Sequence, residues 1–124
     1  MCDKTSKKEV AILFTVDPKV DTERASMGLS IALAGIATDA TVKIFFALDG
    51  IKTLVKGYVE GLSVDHFASV QELLDIIREE GGELHICSPF MKSRNVKAED
   101  LIDNVTISSA PTLVHDAEHG VITI

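Results

Sequence analysis

The chain has no tryptophan, one tyrosine, five phenylalanines and only three prolines in 124 residues. Its core must therefore be mostly aliphatic. Cysteine is as scarce, with two in all, one of them at position 2. Two such thiols make no disulfide framework, so Cys87 is expected as a reduced thiol. Long apolar runs are missing too. No stretch approaches the roughly 18 residues of a membrane span. The opening "MCDKTSKKEV" lacks the apolar middle and the small-residue cleavage site of a signal peptide. A cytoplasmic protein with no membrane partner is the expectation. Positive charge is also in deficit, with 12 Lys and Arg against 19 Asp and Glu, a net charge of −7 and a pI near 4.9. Phosphate backbones repel such a surface, and no basic patch with interleaved aromatics offsets it, which excludes nucleic acid as a partner. The short cluster Lys4, Lys7 and Lys8 reads as the solvating part of a flexible tail over residues 1–8.

What is present is a globular composition, 46% hydrophobic and 25% charged. The length suits one domain over residues 1–124. A mean hydropathy of +0.24 is high for so short a chain. Small domains bury a limited share of their surface, so some apolar area is expected to be covered by other subunits.

Strand and helix patterns alternate along the chain. "EVAILFTVD" (Glu9–Asp17) is a near-continuous apolar, β-branched run of the kind buried on both faces of a parallel sheet. "TVKIFFALDG" (Thr41–Gly50) repeats it. "GELHICS" (Gly82–Ser88), "NVTISSA" (Asn104–Ala110) and "GVITI" (Gly120–Ile124) follow as shorter strands. Between them, Asp21–Thr38 has helical length. Ser69–Glu80 starts with an S-x-x-E capping box, carries Val70, Leu73, Leu74 and Ile77 on one face and stops at Gly81. Ala98–Asp103 and Pro111–Glu118 read as shorter helices, and Ile51–Lys56 as a brief one inside the irregular stretch 50–65. The alternation predicts an α/β domain, a three-layer α/β/α sandwich around a mainly parallel five-stranded sheet. "ASMGLSIALAGIA" (Ala25–Ala37) is almost uncharged all round, with Gly28, Ala32 and Gly35 at near-helical spacing. Such a helix is expected to be buried all round, one side on the sheet and the other against a neighbouring chain.

Ligands of open parallel sheets gather beyond the carboxyl ends of the strands. The residues there are Asp17, Asp49, Cys87 with Ser88, and Ser108–Ser109. Cys87 alone is a competent nucleophile unaided. Ser88 is a good N-cap and Pro89 a good first helical residue, so the thiol would precede a helix N-terminus that favours thiolate. Lys92 and Arg94 would add positive potential. His85, two residues earlier, shares the strand face of Cys87 and is a candidate for handling its proton. Cysteine is equally a habitual core residue, and local pattern leaves both readings open. Asp17 and Asp49 end consecutive strands and are candidates for a binding cleft, although Asp before Pro or Gly commonly serves a turn. His115 and His119 are four apart without a third ligand, so no metal is assigned. The phosphate-cradling GxGxxG and GxxxxGK[ST] patterns are absent, as is a Gly-x-Ser-x-Gly elbow, and no cofactor is assigned.

The phrases "VAILFTVD", "MGLSIALAGIA" and "VKIFFALDGIKTLVKG", then "VQELLDIIREEGGELHICSPFMKSRNV", "AEDLIDNVTI" and "PTLVHDAEHGVITI", resemble the DsrE/DsrF-like family over roughly Glu9 to Ile124. The resemblance implies a YchN-like five-stranded α/β/α sandwich assembled as a homo-oligomer, a trimer or hexamer. It also implies a sulfur carrier or sulfurtransferase. In such members a cysteine ending the strand after the capped helix takes sulfane sulfur as a persulfide and relays it between donor and acceptor proteins. Cys87 in "LHICSPFMKSRNV" holds that position, and "RNV" matches an Arg-containing loop near it. Some relatives lack the cysteine, so a non-catalytic oligomeric binding or assembly module with a structural Cys87 is the alternative. A peroxide-reducing thiol protein is a third reading, weakened by the lack of a resolving cysteine.

Overall fold

Strand β1 (Glu9–Phe14) is the first element of the computed structural model, which describes residues 8–124. Cys2, Lys4 and Lys7 lie outside the described residues. The order that follows is α1 (Thr22–Ala37), β2 (Thr41–Phe46), a 3₁₀ turn (Leu48–Leu54), α2 (Val70–Glu79), β3 (Glu83–Cys87) and α3 (Ser88–Ser93). A 3₁₀ turn at Ala98–Asp100, then β4 (Val105–Ser108), α4 (Ala110–Asp116) and β5 (Val121–Thr123) complete it. The strands form one sheet in the order β4-β3-β2-β1-β5, and every strand pairing is parallel.

Two chain segments expected as strand continue as something else. β1 stops at Phe14 and β2 at Phe46, each three residues before its Asp-Pro or Asp-Gly signal. The 3₁₀ turn begins at once after Ala47, so the expected helix Ile51–Lys56 is in fact Leu48–Leu54. The expected helix Ala98–Asp103 shrinks to one 3₁₀ turn, because Leu101 instead pairs with Val55 in an isolated antiparallel bridge.

Period-2 alternation divides the sheet. Ile12, Phe14, Val42, Ile44, Phe46, Leu84 and Ile86 enter the main core, joined by Leu29 and Ala32 of α1 and Leu74 and Ile77 of α2. Phe14 and Phe46 bring their rings to 5.1 Å there. The opposite face carries Leu13, Lys43, Phe45, His85 and Cys87 and is covered more sparsely. Right-handed crossovers account for this imbalance. The chain steps from β1 through β4 in one direction, then reverses to place β5 beside β1, so α4 must cross on the other face. Lys43 Nζ meets Asp116 Oδ2 at 3.2 Å and pins α4 there.

The small residues of α1 turn out to serve the sheet. A Cβ on Gly28 would stand 2.9 Å from the Ile124 side chain and 3.0 Å from the Phe14 ring, and one on Gly35 would stand 2.9 Å from Val42. Gly28 and Gly35 therefore let the helix axis approach its own strands. The other side of α1 is less covered: Ala34 is exposed, as is Met27 at 39%. The helix is thus not buried all round within one chain.

α2 follows its sequence closely. Ser69 accepts from the Glu72 amide at 3.2 Å, and the Glu72 carboxylate accepts from the Ser69 amide at 3.4 Å. This reciprocal box fixes the helix start and hence the approach to β3.

Candidate functional site

The sheet's carboxyl edge holds a half-open cavity of about 370 Å³ between the starts of α3 and α4. Its place follows from topology. The connections after β3 and β4 leave for opposite faces of the sheet, which opens a crevice between them, the usual position for ligands in such sheets. Leu13, Ala47 and Cys87 form the floor, Pro89 and Phe90 one wall, and Ala110 and Leu113 the other. Leu48 stands at the rim with φ of +52°, a left-handed conformation that is uncommon for a bulky residue. Thr15 also borders the cavity, but its hydroxyl is committed elsewhere, donating to the Ile124 carbonyl at 2.7 Å. The cavity surface is consequently all carbon and sulfur.

Cys87 ends β3, level with Ser108 of β4, and its residue is only 6% exposed. It is itself the N-cap of α3, with Ser88 as the first helical residue and Pro89 the second. Ser88 is therefore not the cap the sequence suggested. Six residues of helix contribute little dipole, and burial dominates, pushing the Cys87 thiol above its ordinary range. The expected lowering toward thiolate does not occur. Near neutral pH the group at the cavity floor is a neutral S–H.

The other candidates fall elsewhere. His85 lies on the same sheet face as Cys87 but is fully engaged. Its ring stacks on Phe45 at 4.6 Å, Nε2–H donates to Glu83 Oε1 at 3.1 Å, and Nδ1 then accepts from the Ser108 hydroxyl at 2.7 Å. Both ring nitrogens thus face partners other than Cys87. Arg94 is engaged elsewhere and does not line the cavity: Nε donates to Asp49 Oδ1 at 2.8 Å, and the guanidinium lies 5.5 Å from the Phe90 ring centre. Lys92 is exposed on α3 and does not line the cavity.

Asp17 and Asp49 are drawn together by Lys52, which lies 3.5 Å from Asp17 Oδ2 and 3.6 Å from Asp49 Oδ1. The Tyr58 hydroxyl donates to Asp17 at 2.8 Å, and its own pKa is pushed up to about 12, by burial first and by that carboxylate next. The hydrogen bond from Arg94, with Lys52 adding to it, holds the Asp49 carboxyl below its usual range. This pair is a strap that closes the loops after β1 and β2; neither carboxylate lines the cavity. His115 Nδ1 sits 2.9 Å from Asp116 and His119 Nε2 3.7 Å from Glu118; no group of three metal-ligating side chains gathers among the described residues. A separate hollow of about 310 Å³ at the start of α1 is bordered by Asp21 and Arg24, already paired at 3.3 Å.

The sequence pointed to Cys87 and missed the cavity around it. Leu13 and Cys87 could have been assigned to one sheet face by alternation. Leu48, Ala110 and Leu113 carried no signal, since only the reversal of the chain after β4 brings α4 over the end of β3.

An all-parallel five-stranded sheet in the order β4-β3-β2-β1-β5, with helices packed on it, sets the class of protein, an α/β sandwich. The chain belongs to the DsrE/DsrF-like family, whose model matches residues 8–124. It is 33% identical over 93 residues to the uncharacterized protein MK0008 of Methanopyrus kandleri, a match covering 75% of this chain and 74% of that one. Among solved structures it is similar to MTH1491 of Methanobacterium thermoautotrophicum, a protein of unknown function, with a TM-score of 0.73 at 15% identity over 95% of this chain and 98% of that one. It is also similar to the ychN protein of E. coli, with a TM-score of 0.69 at 19% identity over 95% and 99% of the two chains. At these identities the structural likeness is one of fold. Among the described residues no helix is long and apolar enough to cross a membrane.

Proposed function

We propose that this protein is a cytoplasmic sulfur carrier of the sulfurtransferase type. In this reading Cys87 accepts sulfane sulfur as a persulfide and passes it to a partner. The observation that carries it is the position of the Cys87 thiol, with no hydrogen-bond partner among the described residues, on the floor of a cavity at the carboxyl edge of the sheet. Family membership adds support. Transfer needs no cofactor. A sulfur anion attacks the outer sulfur of a persulfide, and the donor leaves as its thiol, as in thiol–disulfide exchange. A reducing cytoplasm keeps Cys87 free for the next cycle.

The carrier is proposed to work as a homo-oligomer, a trimer or hexamer, in contact with donor and acceptor proteins. Apolar side chains left open on the single chain favour assembly: Val20 is 82% and Val114 74% exposed. The deciding experiment is intact-mass measurement after incubation with a sulfane donor. One sulfur, about 32 Da, should be gained on the Cys87 peptide by exchange at the thiol. Cys87→Ser should abolish the gain and Cys2→Ala should keep it. Sulfur retained by Cys87→Ser overturns the reading.

The burial of Cys87 and its raised pKa favour a second reading, a binding or assembly module in which this thiol is only packing. Native protein would then resist a small thiol reagent until denatured.

A further inference from the structure

The cavity beside Cys87 is unusual in what it withholds. A sulfur site meant for hydrophilic anions such as thiosulfate would offer cations or backbone donors to their charge. Here Arg94 is spent on Asp49, Lys92 is outside, and the Thr15 hydroxyl points to Ile124. A charged visitor would leave water and find nothing in exchange. An uncharged hydrocarbon would gain by covering Leu13, Phe90 and Leu113. The one polar atom in the cavity is the sulfur of Cys87, in a residue 94% removed from solvent and without a hydrogen-bond partner among the described residues.

We propose that this cavity is a binding site for an uncharged organic sulfur compound with an apolar body, an alkyl or aryl thiol or persulfide, seated with its sulfur against Cys87. The chemistry rests on the carrier reading above; the binding does not. In the transfer, R–S–SH and Cys87–SH give Cys87–S–SH and R–SH. The Cys87 sulfur, on losing its proton, bonds to the donor's outer sulfur as the donor's S–S bond breaks. The electron pair leaves with R–S⁻, which takes up the proton. No oxidant or reductant is consumed. Each side of the exchange pairs one protonated thiol with one protonated persulfide, so the cavity has no net charge to solvate before or after the step. The burial that raises the Cys87 pKa makes its deprotonation the slow part.

Binding is tested apart from chemistry in full-length Cys87→Ala, with phenylmethanethiol and glutathione as paired probes. Methyl resonances of Leu13, Ala47 and Leu113 should shift saturably with phenylmethanethiol, at least about tenfold more tightly than with glutathione, the scale on which apolar pockets discriminate. Leu113→Asp should remove the binding. Ala110→Asp provides a milder check, since a carboxylate suits the first turn of α4 yet places charge at the cavity wall. Equal affinity for both thiols, no saturable shift, or binding that survives both substitutions overturns the proposal. A second copy of the chain filling the cavity would give no shift and overturns it too. The wild-type protein separates the two readings. If phenylmethanethiol binds but neither phenylmethyl persulfide nor glutathione persulfide loads sulfur, the carrier reading fails and the site stands. If both donors load sulfur equally and no thiol binds, the site fails and the carrier reading stands.

Discussion

Arg94 reaches across 45 residues of sequence to Asp49, its Nε donating a 2.8 Å hydrogen bond that ties the end of α3 to the loop after β2. Because Cys87 caps the start of α3, this bond sets the frame of the site without touching the sulfur. Asp49 is half exposed, so the pair contributes modestly, about 1 kcal/mol or less. Arg94→Ala should lower stability by about that much in urea unfolding. It should also let the Asp49 carboxyl titrate closer to its ordinary value. The sign follows from the lowered folded-state value: the contribution is present above the unfolded carboxylate range and disappears as pH falls through the folded one. An unchanged Asp49 titration in the variant would show that the contact is not formed in solution.

Acid should act first on α4. Asp116 is held below its ordinary 3.8 by hydrogen bonds from His115 and then from Lys43, while Lys43 is raised, the Asp116 and Glu83 carboxylates outweighing its burial. The Lys43–Asp116 pair is thus intact at neutral pH and fails as pH drops through the depressed Asp116 value. Hydrogen exchange between pH 7 and pH 3 should show α4 amides losing protection before those of β2 and β3. Asp116→Asn should produce the same loosening at neutral pH. Simultaneous loss of α4 and the central strands would contradict this.

Leu48 keeps a left-handed backbone at the cavity rim while remaining 46% exposed. The conformation costs a non-glycine residue roughly 1 kcal/mol, and little apolar burial is there to offset it. Leu48→Gly should therefore leave stability level or raise it by up to about 1 kcal/mol, whereas the β-branched Leu48→Val should lower it. The glycine variant also widens the mouth, so a small neutral reagent should reach Cys87 faster. A marked loss of stability in Leu48→Gly would mean that the rim side chain carries packing the fold depends on.

Local sequence rules read the strands, α2 and the parallel sheet well, because each rests on contacts within a few residues. The Ser69–Glu72 box and the Val70, Leu73, Leu74, Ile77 stripe are visible as written. The strand ends were harder. Asp17 and Asp49 look like the stops of β1 and β2, but the ladder ends earlier, at the Phe14–Phe46 pair. Beyond it the chain turns into the 3₁₀ segment. The site was legible only at its centre. Cys87 announces itself at a strand end, yet its electrostatics depend on how much wall surrounds it. One side of that wall comes from α4, a helix brought over β3 by the reversal of strand order. Long-range charge pairing was equally hidden: nothing near Arg94 in sequence says that Asp49 will claim it.

The neutral thiol at the cavity floor makes an alkylation prediction with two independent arms. Burial raises the Cys87 pKa, so its reaction with iodoacetamide should be slower at pH 7 than that of an exposed cysteine. The rate should also reach half its maximum above the ordinary cysteine value of about 8.5. Because the folded state holds the thiol proton more tightly, the same shift stabilises the fold below the unfolded thiol pKa. That contribution is lost as pH rises through the folded value. The second arm uses charge. Iodoacetate, the anionic counterpart of iodoacetamide, must bring a carboxylate into a cavity with no donor to receive it, and should lag further behind iodoacetamide at Cys87 than at Cys2 in the same protein. A Cys87 midpoint below that of free cysteine would show that a dipole or cation governs the thiol after all, and equal discrimination at both cysteines would mean that the apolar walls do not enclose it in solution.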